Sequence, residues 1–572
     1  MKQTWFSLLV LGLASAGCTG TAGSETGDNG GSSAGGDGNV GGSGSGARGG
    51  AGSPNGGASG AVETVGPSSR YARLSHKQWE NSTRDLLGLA KKPGLSATFT
   101  GDASRGRFDN EGGSLQVTNG LFSDYQTAAE TLALQVASDA NVLSKLKPAA
   151  FPATAAAQAK PFVESFGRRA FRRPLTTEEV DRYAALFGKG TALYGAGDAT
   201  TLGMRAVVEA MLQSSHFLYR VETGQVAKAA NGKIPLTSWE MASRLSFSLS
   251  NSMPDAELFT AAAAGSFEGN VADVRTEVRK QATRLLSATG GKASVADFYD
   301  QALRLYTYDG IDKDVKKVPD FVAGIGSDMR KETLLFTAEV VNQMSGTNTD
   351  LLTAPFTFVN QRLAKVYGLQ GTFNDQFQKA DLDPAQRTGL LTQSGFLASN
   401  DSIHRGVFVH LNVMCTDLPP PAKNVPPVPS TAGKTNRERV TAHTGIGTCG
   451  GVCHATIINP AGFAFEKFDP IGKYRTLDNG IPVDDSGTLS IDGEDKSWKS
   501  SSEFIALLAK SEDVHRCMTR GWLEYLFGRV PVEGDDALVS RLGKGSNSGG
   551  QSVKSLVLDL VTSDSFLFRA AP

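Results

Sequence analysis

Leu74-Ser75-His76-Lys77-Gln78-Trp79, continued by Thr83-Arg84-Asp85-Leu86-Leu87-Gly88, is the stretch that decides the fold class. Ser75 and Gln78 have the spacing of a capping box, and Leu74 and Trp79 that of a hydrophobic staple. Trp79, Thr83, Leu86 and Leu87 recur at i, i+4, i+7 and i+8, one face of a helix, and Gly88 supplies its stop. The same grammar recurs along the chain. Pro174 closes a helix ending near Phe171, and Thr176-x-x-Glu179 opens the next, with Val180, Tyr183, Ala184 and Phe187 on one face. Thr237-x-x-Glu240 opens another, carrying Ala242, Leu245 and Leu249. Further helices are expected at 202–221, 271–287, 328–344, 501–510, 513–528 and 552–562. Strand signals concentrate in 473–491, where Leu477-Asp478-Asn479-Gly480-Ile481 and Asp485-Ser486-Gly487 are turn sequences between β-type runs. The expectation is a mainly α protein: a multi-module helical body and a smaller C-terminal, cysteine-containing unit with one β-hairpin.

The 572 residues carry 57 Lys+Arg against 58 Asp+Glu, a net charge of −1. That balance provides no broad cationic field to gather nucleic acid. Charged residues at 20% and hydrophobic ones at 40% exclude a disordered chain and a polytopic membrane protein. Five cysteines are too few for a disulfide-dense scaffold.

Lys2 and the apolar run from Trp5 to Ala16 read as a secretory leader, too short to span a bilayer. It ends Leu13-Ala14-Ser15-Ala16-Gly17-Cys18, small residues before a cysteine, like the lipobox of bacterial lipoproteins. Residues 1–18 are therefore expected to be a lipoprotein signal with Cys18 lipidated; an ordinary cleaved signal is the other reading. Residues 19–66 are Gly/Ser-rich, nearly uncharged and without apolar periodicity, the composition of a flexible tether. The Pro-rich stretch from Leu418 to Pro429 should run extended and divide a helical body, about 67–415, from a second unit, about 436–572. The expected modules are 67–145, 155–225, 230–368, 384–495 and 500–572.

Cys449-Gly450-Gly451-Val452-Cys453-His454 is the local constellation with chemical content. Two cysteines followed at once by histidine can attach haem c through two thioether bonds, with the histidine as proximal iron ligand. The spacer holds three residues where two are usual, and Gly450-Gly451 would let the longer loop curl. A Cys449–Cys453 disulfide, or a zinc site with His454 and a fourth ligand such as His443, are the competing readings. Cys415 and Cys517, left over in an oxidising compartment, are expected to pair. Met414, Met518, His515 and His443 are candidates for a second axial ligand. His76, His216, His404 and His410 have no partner spacing and read as structural. Glu466, Asp469, Asp478, Asp484 and Asp485 read as turn residues, and Arg168, Arg169, Arg172 and Arg173 as a solvated cationic face. From residue 67 on the chain has no G-x-S-x-G, and nowhere an H-E-x-x-H, so hydrolase mechanisms gain no support.

Several blocks together resemble a known arrangement. They begin with Arg73-Leu74-Ser75…Trp79…Thr83-Arg84-Asp85-Leu86-Leu87-Gly88, Phe108-Asp109-Asn110 and Arg169-Ala170-Phe171-Arg172-Arg173-Pro174-Leu175-Thr176. Leu212-Gln213-Ser214-Ser215-His216-Phe217-Leu218-Tyr219-Arg220, Arg244-Leu245-Ser246-Phe247-Ser248-Leu249 and Val359-Asn360-x-x-Leu363-Ala364-x-x-Tyr367-Gly368 follow. His404-Arg405-Gly406, the run from Cys453-His454 through Asn459-Pro460-x-Gly462-Phe463-Ala464-Phe465-Glu466-x-Phe468-Asp469-x-Ile471-Gly472, and Tyr525-x-x-Gly528-Arg529 complete the series. In this order they resemble the tandem domains of unknown function that accompany planctomycete-type cytochrome c modules in secreted bacterial proteins, including a myxobacterial lipoprotein branch. The resemblance implies an exported protein linked to extracytoplasmic redox modules, and names no reaction.

The expected function is that of an exported lipoprotein anchored in the cell envelope, at the outer membrane. It would hold haem c on Cys449 and Cys453 with His454 as ligand, and act in electron transfer or in oxidation of an unknown substrate. A redox partner protein is expected and nucleic acid is not; the membrane is reached through the lipid alone. The alternative is a non-enzymatic binding lipoprotein of the cell envelope whose cysteines are structural disulfides.

Overall fold

The computed structural model describes residues 63–102, 106–419, 434–448 and 450–571. Cys18, Cys449 and most of the tether and Pro-rich stretch lie outside them. The fold is mainly α, with only short antiparallel strand pairs among the described residues. No described helix is long and apolar enough to cross a membrane.

The capping logic holds in atomic detail. Ser75 Oγ accepts from Gln78 N while the Gln78 side chain caps Ser75, and helix His76–Leu87 ends on Gly88 at φ 66°. Thr176/Glu179 and Thr237/Glu240 form capping boxes for Thr177–Phe187 and Ser238–Ser250. A helix was expected over 202–221; the chain instead forms Ala199–Leu212, a single turn Ser215–Leu218 capped by Ser214, and a strand Tyr219–Val221. That strand pairs with Tyr71–Arg73, so one edge of the first helical module is tied to the end of the second. The helix expected at 328–344 is Ile325–Ala338 followed by a π-helical turn, Glu339–Gln343. The single hairpin expected in 473–491 is two. Leu477–Asp478 pairs with Ile481–Pro482 across Asn479-Gly480, and Gly487–Ile491 with Glu494–Trp498 across Asp492-Gly493. Asn479, Gly480, Asp492 and Gly493 all have positive φ, as tight hairpin turns require. Asp485 turns no hairpin; it is buried, with its carbonyl accepting from Trp498 Nε1 and its carboxylate from Ser501 N.

Residues 60–572 form one compact unit, so the Pro-rich stretch does not separate two bodies. The largest apolar core explains why. Its members run from Leu236 to Leu390 and then resume at Trp522 to Leu567, with Phe108 from the first module. Phe298 stacks on Trp522 at 3.6 Å between centroids, and strand Phe568–Ala570 pairs with Lys233–Pro235. The C-terminal helices thus complete the central module rather than stand apart. The last residues of the expected tether are also seated: Glu63 pairs with Arg541, and Thr64 bonds to Gly534 and Ser565.

A buried carboxyl joins the central module to the next. Glu332 is fully buried and accepts from Thr357 Oγ1 at 2.6 Å, Ser394 Oγ at 3.0 Å and the Tyr367 hydroxyl. Burial pushes its carboxyl up to about 7, against the pull of those hydroxyls and of Arg387. A carboxyl raised in the folded state holds its proton where the unfolded chain has lost it. Stability therefore falls as pH rises from about 4.5 to about 7, by on the order of 3 kcal/mol. Glu332→Gln keeps a polar group there and removes the titration. We expect the variant's melting temperature to gain on the wild type's across that window; parallel curves of melting temperature against pH would refute the assignment.

Candidate functional site

The nine-residue helix Asn436–Thr444 connects two polar places, and its capping box of Thr435 and Glu438 fixes where it starts. At its C-terminal end, Thr444 Oγ1 donates to Val440 O at 2.7 Å. Having given its proton there, the hydroxyl accepts from Asn459 Nδ2 at 2.9 Å. Asn459 Oδ1 then faces His454 Nδ1 at 3.3 Å. An amide oxygen only accepts, so the relay places a proton on Nδ1 and orients the imidazole ring.

His454 opens a π-helical turn, His454–Ile458, between the single turn Gly451–Cys453 and the helix Asn459–Phe463. Cys453 is a half-buried free thiol; Cys449 lies outside the described residues. The two glycines have steric reasons. A Cβ on Gly450 would meet His454 Cδ2 at 3.3 Å, and one on Gly451 would meet Gly445 O at 2.8 Å. Around this loop the apolar surface is bare: Ile446 is 90% exposed and Val452 84%.

The enclosure expected from Ile457, Phe463 and Phe465 is different. Phe465 is sealed in a core, edge-on to Phe396 and Phe504, so its ring lines no space beside His454. Phe463 lies beneath the Arg437 guanidinium, and Ile457 is half-buried with its carbonyl accepting from His410 Nε2. Of the candidate second ligands, His515 has both ring nitrogens bonded, to Ser546 and to the Ala509 carbonyl. Met414 is buried in the same core as Phe465, with Met518 packed against it. Among the described residues no three His, Cys, Asp or Glu side chains gather as a metal site. His410 is nine-tenths buried with Nδ1 unpartnered among the described residues, a feature with no signature in the sequence.

Cys415 and Cys517 form a disulfide with Cα atoms 5.3 Å apart, across a sequence separation of 102 residues. It joins the end of the π-helical turn Val409–Val413 to the helix Glu512–Phe527.

At the other end of helix Asn436–Thr444 opens a polar cavity of about 810 Å³ that includes Ser402, Arg405, Asn436, Arg439, Glu466 and Arg475 in its wall. Eight residue steps along the helix separate its two ends by roughly 12 Å. Glu466 is 2% exposed and accepts from Ser402 Oγ and from Asn436 Nδ2. Arg475 bridges Glu466 and Asp478. Burial lowers Arg405 to about 10, and it donates to the carbonyls of Leu397, Asn400 and Phe465. Reading the acidic residues as turn residues fits Asp469 and Asp484, which accept from nearby backbone N–H groups, and misses Glu466 and Asp485, which are buried.

Of the four arginines expected on a solvated face, Arg168 is exposed as expected and the other three are structural. Arg172 is buried and donates to the carbonyls of Ala170, His216, Phe217 and Tyr219; Arg173 clamps Glu179 with two bonds; Arg169 donates to Asp85 O.

Five stretches match families of proteins of unknown function: residues 72–138 (DUF1587), 158–222 (DUF1595), 236–369 (DUF1592), 387–478 (DUF1588) and 494–566 (DUF1585). The chain belongs to the family that carries these five domains in tandem, the set associated with planctomycete-type cytochrome c. No curated protein and no solved structure matches it.

The disulfide gives a direct test. Replacing Cys415 and Cys517 together by Ala frees a loop of about a hundred residues in the unfolded chain, worth about 2–5 kcal/mol. We expect the denaturant midpoint of the double variant to fall accordingly. A midpoint equal to that of the oxidised wild type would show that the bridge does not hold the fold.

Proposed function

We propose that this protein is an exported lipoprotein of the cell envelope, anchored at the outer membrane through lipid on Cys18. It carries haem c for extracytoplasmic electron transfer or oxidation of a substrate. The observation that carries the reading is the Val440–Thr444–Asn459–His454 relay, which engages Nδ1 of His454 next in sequence to a half-buried free Cys453 thiol. Haem c, when bound, supplies one-electron redox chemistry. On this reading Cys449 and Cys453 would hold the group through thioether bonds and His454 would ligate it, while Asn459 orients the imidazole. The exposed Ile446 and Val452 leave apolar surface bare on this loop, where an apolar group would gain by burial. The Cys415–Cys517 bridge supports export, because disulfides persist in oxidising compartments. The partner on this reading is a redox protein, and the near-zero net charge speaks against nucleic acid.

The same bridge also favours a second reading, a non-enzymatic binding lipoprotein whose cysteines are all structural. Periplasmic expression with the haem-maturation machinery separates the two. The first reading expects a Soret band that survives acid–acetone extraction and is lost in Cys453→Ala. It also expects Asn459→Ala to raise the midpoint potential, since an imidazole that loses its Nδ1 acceptor is a weaker donor to iron. No Soret band, with a Cys449–Cys453 disulfide in the peptide map, overturns it in favour of the second. Mass spectrometry of the mature N-terminus tests the anchor: a diacylglyceryl-modified Cys18 is expected, and an unmodified start elsewhere excludes the lipid.

A further inference from the structure

The buried arginines of the described residues follow one rule, with one exception. Arg172 donates to four carbonyls, Arg405 to several, Arg387 to those of Thr392 and Gly472, and Arg529 to both oxygens of Asp535. Arg220 is only 7% exposed, yet its guanidinium makes no hydrogen bond among the described residues; Arg73 and Arg569 share its unpartnered Nε but donate through Nη1, to Leu74 O and Thr223 O. Its neighbours are the Phe247 ring, 5.8 Å from its guanidinium carbon, and Glu222. Glu222 directs Oε2 to both Nε and Nη2 of Arg244, so the nearest carboxylate already has its cation. A guanidinium edge sealed from water without a hydrogen bond is costly. Burial lowers its pKa, which expresses the same penalty.

Arg220 borders a cavity of about 370 Å³, whose wall also includes Ser68, Leu526, Phe527, Val530 and Phe566. Ser68 Oγ is a second buried polar atom without a partner among the described residues. Gly528, also in that wall, keeps the space beside the guanidinium open. Its φ of +59° suits glycine, and a Cβ there would come within 3.3 Å of Arg220 Nη2. On the rim, Glu111 turns Oε1 to Gly113 N at 2.8 Å. The cavity lies where residues of four of the five matched domains meet, Ala72, Arg220, Arg244 and Phe527 each coming from a different one. Such junctions are favoured positions for small-molecule sites.

From this we infer a binding site for a small organic carboxylate, anchored by the Arg220 guanidinium and the Ser68 hydroxyl, with its apolar body against Phe527, Val530 and Phe566. A planar carboxylate matches the fork of Arg donors, and the apolar wall selects against a bare inorganic anion. The site is separate from the His454 loop, so it stands or falls independently of haem.

Calorimetric titration of the full chain with benzoate tests it, with sodium sulfate at equal ionic strength as the comparison. We expect saturable one-to-one binding of benzoate. It should weaken at least tenfold in Arg220→Met and in Ser68→Phe, which fills the mouth, and tighten in Glu111→Gln, which removes a like charge from the rim. Should Arg220→Met fail to fold, Ser68→Phe, altered outside the helices, carries the test. No saturable benzoate binding by the wild type, sulfate binding as tightly as benzoate, or undiminished binding in the folded variants overturns the proposal.

Discussion

Arg172, sealed from water at the C-terminal end of Ala155–Phe171, reaches the main-chain carbonyls of Ala170, His216, Phe217 and Tyr219. That bonding between a buried guanidinium and backbone oxygen is the constraint on which the assembly of this chain depends. The elements are short, and each helix end leaves carbonyl groups with no partner inside the helix. A side chain with five donors in a rigid fork can satisfy several such groups from different segments at once. Arg405 does so for Leu397, Asn400 and Phe465, and Arg387 for Thr392 and Gly472. Arg244 reaches Phe566 O near the C-terminus while holding Glu222 from the second matched domain. Each charge costs desolvation, and the cost is tolerable because the donors are filled.

The same logic locates the site. Arg405 fixes the segment before helix Ser402–Phe408 against the turn after Asn459–Phe463, and Gly406 and Gly462 let the two helices touch. A Cβ on Gly462 would sit 1.9 Å from Ser402 O, and one on Gly406 2.1 Å from Ile458 O. This contact holds the π-helical turn that begins at His454. The helix Asn436–Thr444 then ties that turn to the Glu466 cavity, through Asn436 at one end and Thr444 at the other. The His454 loop at one end and a polar cleft at the other are thus set by one short, capped helix.

What was legible in the sequence was local. Ser75/Gln78, Thr176/Glu179 and Thr237/Glu240 announce helix starts because a capping box involves residues three apart and nothing else. The Cys415–Cys517 pairing was legible by elimination, given few cysteines. The burial of Arg172 was not, since four arginines within six positions have the composition of a solvated face. Three of the carbonyls that Arg172 reaches lie some forty residues away, at 216–219. The Glu466 cleft was illegible for the same reason: Ser402, Asn436, Glu466 and Arg475 meet only after the chain has folded back. Asp492-Gly493, a strong hairpin signal, lies just beyond 473–491, so the expected single hairpin is in fact two.

The three-residue spacer of the Cys449–Cys453 motif also has a local cause in the folded chain. Helix Asn436–Thr444 ends in Gly445, whose N–H bonds back to Thr441 O, and the chain turns at once so that Thr448 N reaches Gly445 O. The next turn must pass over this one: Gly451 N bonds to Thr448 O, and His454 N to Gly450 O. Side chains at 450 or 451 would press on His454 and on the Gly445 carbonyl, so glycine at both positions lets the turns stack. The stacking presents His454 to Asn459 five residues on, a separation that a π-helical turn accommodates. Spacer, glycine pair, π turn and imidazole tautomer are therefore linked parts of one loop geometry.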